Sequence, residues 1–248
     1  MMATRLPCFS PKCLSFFRQL EKNNAREWFT PRKSVFESEA RAPMLELVVW
    51  LNERLRKFAV DHVVEPPAKA IYRIYRDTRF SKDKTPYKTH VSAFFPRHGL
   101  PKHGAASYYV GISHKSLEIA GGMYMPGPEE LKAFRDAIVR DEKSLSKLLA
   151  DRTLRRLLGD VQGEQSARLP KGYEADPKSP LESLLRRKHL YFYVELDPKV
   201  ATTPKLANEV IKRFEAMAPV IDHLNQIILA AKKGDEEETI PKRPAPMF

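Results

Sequence analysis

Cysteine is scarce: Cys8 and Cys13 are the only two in 248 residues. Two cysteines cannot build a disulfide framework, so a buried core must carry the fold, and a reducing cytoplasm is the simplest setting. Long apolar runs are missing as well. The longest, "LELVVWL" (45–51) and "IILAA" (227–231), fall far short of the roughly 20 residues that a bilayer span needs, so a soluble chain with no membrane partner is expected. The opening "MMATRLPCFSPK" has no apolar signal core and does not indicate secretion. Glycine-rich phosphate loops are absent, since neither G-x-x-x-x-G-K-[ST] nor G-x-G-x-x-G occurs. "GISHK" (111–115) begins like a nucleophile elbow but lacks the closing glycine. The seven histidines show no H-x-x-x-H spacing and the cysteines form no C-x-x-C, so no metal set is marked. No motif names a cofactor.

What the chain does have is an ordinary globular composition, 42% hydrophobic and 30% charged, with a net charge of +12. The excess is unevenly placed. Residues 1–100 hold 19 Lys/Arg against 10 Asp/Glu, residues 101–200 hold 17 against 14, and the last 48 are balanced. A basic excess of this kind favours phosphate or carboxylate partners.

Periodicity divides the chain into helices, strands and helices again. Ser10–Pro11 reads as N-cap and N1 of a helix with Leu14, Phe17 and Leu20 on one face. Thr30–Pro31 can start another, with Val35 and Phe36 inward. Met44, Val48, Leu51, Leu55 and Phe58 step by four and three, the mark of an amphipathic helix that ends before Pro66–Pro67. The period then shortens. "AIYRIY" (70–75) and "VSAFFP" (91–96) read as strands, and "SYYVGIS" and "SLEIAGG" as a hairpin turning at His114–Lys115. Pro126-Gly127-Pro128 launches a helix with Leu131, Phe134 and Ile138 inward, and more helix is expected through Leu157. A short helix at 179–187 precedes a strand at 189–196. Leu206 to Ile228 carry the strongest helical repeat, with a kink or break expected at Pro219. This order predicts one α+β domain over residues 8–232, a mostly antiparallel sheet flanked by N- and C-terminal helices. Residues 233–248 form a polar, Pro-rich tail.

One stretch concentrates chemistry. "YRDTRFSKDKTPYKTH" (75–90) packs Arg76, Arg79, Lys82, Lys84 and Lys88 against only Asp77 and Asp83. Arg73, Arg76 and Arg79 recur every third residue, and guanidinium forks suit bidentate grip of carboxylate or phosphate. Ser81 and Tyr87 add hydroxyls, and Pro86 stiffens the loop. The candidate ligand-binding set is therefore Arg73, Arg76, Asp77, Arg79, Ser81, Asp83, Lys84, Tyr87 and Lys88. Internal pairing can absorb two of the five cations between 75 and 90, which leaves three. Asp77, Asp83 and Glu118 are the carboxylates best placed for acid–base work, though no spacing makes any two a working pair. Gly121–Gly122 can bring backbone amides to a ligand or can end a strand at positive φ.

"RDTRFSKDKTPYK" (76–88) also resembles the hallmark R-D-x-R-F-S-x-D-K-x-P-Y-K of domain of unknown function 2461, a bacterial and fungal family. "NNAREWF" (23–29), "YYVGIS" (108–113), "AGGMYMPGPEELKAFR" (120–135) and "LPKGYEADPKSPLESLL" (169–185) are similar blocks. The likeness covers roughly residues 8–230. It implies one domain and no particular reaction.

Three functions compete. The 76–88 loop can line a pocket for an anionic small molecule bearing phosphate or carboxylate, in an enzyme or a binding protein. The basic first part can instead contact nucleic acid along its backbone. Or the motif is an ion network that stabilises the fold of an interaction protein. Compact mixed chemistry favours the first, the +12 charge the second, economy the third.

Overall fold

The structure is a computed structural model that describes residues 6–239, with side chains to 233. Ser10 and Pro11 open α1 (Pro11–Lys22), which buries Leu14, Phe17 and Leu20. Ser10 does not cap it. Its hydroxyl donates instead to Glu39, tying α1 to a π-helical turn at Glu37–Arg41. Two single turns, α2 (Arg26–Phe29) and α3 (Lys33–Phe36), lead to α4 (Ala42–Leu55). Phe36 reaches the core but Val35 does not, being 39% exposed. The 3₁₀ turn before α3 and the π turn after it change the phase of the helix, so only one of the two adjacent side chains points inward.

The expected strand at 70–75 is not regular. A 3₁₀ turn occupies Pro67–Ala70, and only single bridges follow, Ile71 with Ala93 and Tyr75 with Tyr87. This segment leaves the sheet edge to pair with the chain at 86–88: Lys88 N donates to Ile74 O at 2.8 Å, and Arg76 N to Pro86 O at 2.9 Å. Pro86 has no N–H to return, which stops the ladder there.

The sheet is an antiparallel meander of β1 (His90–Phe95), β2 (Ser107–Ser113), β3 (Leu117–Met123) and β4 (Leu190–Leu196). Val110 pairs with Ile119 and Ile112 with Leu117, as the hairpin pattern requires. Alternation gives the sheet two faces. Val91, Ala93, Tyr108, Val110, Ile119 and Phe192 are buried, and this phase meets α9 (Lys205–Thr239). Phe214 of α9 lies 4.7 Å from Tyr108 and 5.9 Å from Phe95, ring to ring. Gly121 is small because the helix passes over it; a Cβ there would stand 2.8 Å from Met217 Sδ. α5 (Pro128–Arg140), α6 (Glu142–Leu149), α7 (Arg152–Leu158) and α8 (Pro180–Leu185) fill the β3–β4 connection, with α5, α6 and α7 packed on α9.

Pro219 does not break α9, which runs unbroken from Lys205 to Thr239. Pro219 and Glu215 are both exposed, so the carbonyl left without a partner faces solvent rather than the core. The helix carries the backbone through residues 233–239 of the expected tail; residues 240–248 lie outside the described part.

Buried amides lock the long connections. Asn225 of α9 accepts from Ala106 N and donates to Ala106 O, both at 3.0 Å, and its amide also reaches His62 Nε2 at 3.4 Å. His62 Nδ1 in turn bonds Phe95 O at 3.0 Å. These contacts fix the 97–106 loop, which borders the open face of the sheet.

Candidate functional site

The basic loop closes largely on itself. Arg76 pairs with Asp83 and also reaches the Thr85 hydroxyl. Arg79 grips Asp77 through two hydrogen bonds, at 3.0 and 2.7 Å, while Asp77 also accepts from Arg79 N. Asp83 accepts from Thr85 N at 2.9 Å, and Lys84 Nζ donates to Thr78 O at 2.9 Å. Both acids are held at about 2, Asp77 chiefly by the Arg79 guanidinium and Asp83 chiefly by the Thr85 amide. Ser81 turns back through its N–H to Thr78 O. Tyr87 is buried and stacks on Phe29 with ring centres 4.1 Å apart, so it belongs to the core. Arg73 is exposed, close enough to Asp77 to favour its charge. At the tip of the loop stands Phe80, 94% exposed. The candidate residues thus share one loop, but none of them lines the neighbouring cleft.

That cleft, about 550 Å³, lies on the sheet face opposite α9. Its floor is small because β3 offers Ala120 and Gly122 there. Gly122 is required on two counts: its φ is +125°, and a Cβ would fall 2.4 Å from Leu190 O. One wall is Tyr72, Phe94 and His103, with ring centres 5.2 to 6.5 Å apart. Across the floor stand Tyr191 and Tyr193 of β4 and Tyr124, whose ring meets Tyr191 edge-on at 5.3 Å. Tyr109 of β2 stands between. Tyr124 is 61% exposed at the rim. An open sheet face normally carries polar side chains; this one carries rings.

Charge enters the cleft sparingly. Glu118 lines it and accepts from the Tyr109 hydroxyl at 3.1 Å and the Ser116 hydroxyl at 3.4 Å. Tyr193 donates to Glu195 at 2.7 Å. Burial and the neighbouring acids push both phenols up, so they stay protonated donors. Burial and Lys102 push His103 down, towards the neutral ring. Burial alone raises Tyr72 to about 12. Two cations border the Tyr72 ring, Lys88 Nζ at 4.8 Å and Lys102 Nζ at 5.6 Å from its centre. Burial, then Arg73, lowers the Lys88 pKa. Lys88 is therefore the one residue of the sequence-derived set that reaches the edge of the cleft.

Of the three carboxylates considered for acid–base work, Asp77 and Asp83 are committed to the loop and Glu118 lines the cleft. Arg186, Arg187 and Lys188 serve the fold, through Ser166 O, Gly163 O and Glu164 respectively. Among the described residues no group of three or more His, Cys, Asp or Glu could hold a metal ion. No helix there is long and apolar enough to cross a membrane.

The model of one protein family, described as conserved hypothetical protein (DUF2461), matches residues 12–223. The chain belongs to the DUF2461 family. The match spans the sheet, the basic loop and most of α9, so both the loop and the cleft lie within the DUF2461 domain. No curated protein and no solved structure matches the chain.

Proposed function

We propose that this DUF2461 protein binds a small organic molecule in the tyrosine-walled cleft. The observation that carries the reading is the concave sheet face itself, with rings on both sides of a floor reduced to Ala120 and Gly122. Ring walls of this kind suit a flat or apolar ligand body, and convergent hydroxyls orient it. Lys88 and Lys102 at the Tyr72 rim are placed to receive a phosphate or carboxylate on that ligand. The anionic small molecule expected from the sequence thus finds support at Lys88, beside the rings, rather than at the arginines. The pairing of Arg76 and Arg79 supports a structural ion network for the rest of the loop. The probe is 8-anilinonaphthalene-1-sulfonate, a flat apolar body with one anionic group. It should bind one to one with enhanced fluorescence. Ala120→Leu, which fills the floor, should weaken it about tenfold or more, and Lys88→Ala by less. Undiminished binding to Ala120→Leu would overturn the reading.

A second reading, contact with nucleic acid, draws support from Phe80. Its exposed ring, with the Arg79 guanidinium 5.7 Å from its centre, offers a stacking face beside a cation in a basic loop. Single-stranded oligonucleotides titrated across a salt series test it. Binding that survives physiological salt and is lost in Phe80→Ala favours this reading; binding absent at that salt removes it.

A further inference from the structure

The cleft of a protein with a net charge of +12 contains an acid. Among the described residues that line it, Glu118 is the one Asp, Glu, Lys or Arg. Directly opposite on β4 stands a second acid, Glu195, in cross-strand register. Like charges facing each other across a ladder repel. Neither has a Lys, Arg or His within ion-pair distance among the described residues. Their partners are hydroxyls: Tyr109 and Ser116 for Glu118, Tyr193 for Glu195. A hydroxyl stabilises a carboxylate but does not neutralise it. The two carboxylates therefore stand without an ion-pair partner beside the π-faces of tyrosines, while the lysines that border the cleft, Lys88 and Lys102, sit at the Tyr72 ring.

Both features attract the same thing. Tyrosine faces draw cations through the ring quadrupole, more strongly as water leaves, and a half-buried carboxylate adds Coulomb attraction. The kind of cation follows from what the cleft lacks. A primary ammonium needs several acceptors to replace its water, whereas Glu118 has two of its acceptor sites taken by hydroxyls and most of the remaining lining is rings and small or apolar side chains. An ammonium dressed in methyl groups is weakly hydrated and asks for surface rather than hydrogen bonds.

We propose that the cleft takes a methylated ammonium group, quaternary or tertiary, seated between the β4 tyrosines and Tyr109 with Glu118 as its counter-ion. The proposal rests on the cleft being the ligand site and specifies which end of the ligand enters deepest.

The test uses two probes of one shape, choline and 3,3-dimethylbutan-1-ol, in which a neutral carbon replaces the charged nitrogen. Calorimetric titration of the whole protein should show choline binding about tenfold or more tighter than its isostere. Glu118→Gln should erase that preference while leaving the neutral probe unchanged. Tyr191→Leu, which keeps the acid, should reduce choline's advantage and serves if Glu118→Gln does not fold. Equal affinity of the two probes, or a preference that survives Glu118→Gln, overturns the cation. If the neutral probe and the naphthalene sulfonate bind but choline gains nothing, only the cation falls. If none of the three binds, the cleft itself falls as a ligand site.

Discussion

Asn24 holds both backbone groups of Tyr87 from 63 residues away: its amide donates to Tyr87 O at 2.9 Å and accepts from Tyr87 N at 3.0 Å. A side-chain amide here does the work of a missing strand. Beside it, the Tyr87 ring stacks on Phe29. The blocks "NNAREWF" and "RDTRFSKDKTPYK" are thus one structural unit, an aromatic corner and the loop pinned to it.

Asn24→Ala should therefore destabilise the protein. It leaves a buried residue's N–H and C=O without partners, at a cost of about 1–3 kcal/mol. Tyr87→Phe should cost less, since the ring keeps its stack, and Tyr87→Ala about 3–5 kcal/mol for the lost aromatic packing. Urea denaturation of the three variants gives the order. A harmless Asn24→Ala would mean that the corner holds without its clamp.

Below about pH 4 the loop should loosen locally. Asp77 and Asp83 have folded-state values of about 2, below the usual carboxylate range. A depressed carboxylate lends stability that is complete above its unfolded value, about 3.9, and is lost as pH falls through the folded one. Between about pH 4 and pH 2 the amides of Thr85 and Arg79 should lose their hydrogen-exchange protection while β2 and β3 keep theirs. Loop protection that persists unchanged at pH 2 would show that the acids do not hold it.

Much of the fold was legible because burial imposes a period. The β2–β3 hairpin, α4 and the buried face of α9 follow from residues repeating at two or at three-to-four positions. Where the period is short or interrupted, tertiary contacts decide. Val35 turned outward between two irregular turns, and 70–75 was drawn off the sheet by Pro86 and Asn24. The cleft left a quieter signal. Tyr109, Tyr191 and Tyr193 occupy the strand phase opposite the core, where polar residues are the rule, and "SYYVGIS" and "HLYFYVEL" already carry them. Only the register of β3 against both neighbours brings those rings to one floor. The lysines of the loop were visible in sequence; which of them would meet Tyr72 was not.

His62 should set a second acid limit, in the core. It is 3% exposed, and burial lowers it from the ordinary 6.5 to about 4. Below about pH 6.5 the unfolded chain takes a proton that the folded one refuses. Stability should then fall with pH down to about 4, by about 1.4 kcal/mol for each unit, and flatten below. His62→Gln keeps a donor for Phe95 O and removes the titration. Denaturation midpoints of wild type and variant should converge as pH falls from 6.5 to 4. Parallel curves would assign the acid loss elsewhere, for example to His90, which burial lowers similarly.

Glu195→Gln should stabilise the unligated protein. The variant keeps an acceptor for the Tyr193 hydroxyl, now at 2.7 Å from Glu195, and removes one of two opposed charges. At so exposed a position the gain should not exceed ~1 kcal/mol. It should shrink as salt is added, because screening already relieves the repulsion in the wild type. Choline should bind the variant more weakly, though less so than Glu118→Gln, since Glu195 stands beside the cleft and Glu118 lines it. Stability and affinity would then move in opposite directions on one substitution, as expected of charge held for a ligand. A stability loss that is insensitive to salt would instead make Glu195 a structural acceptor and remove the repulsion from the case for a cation.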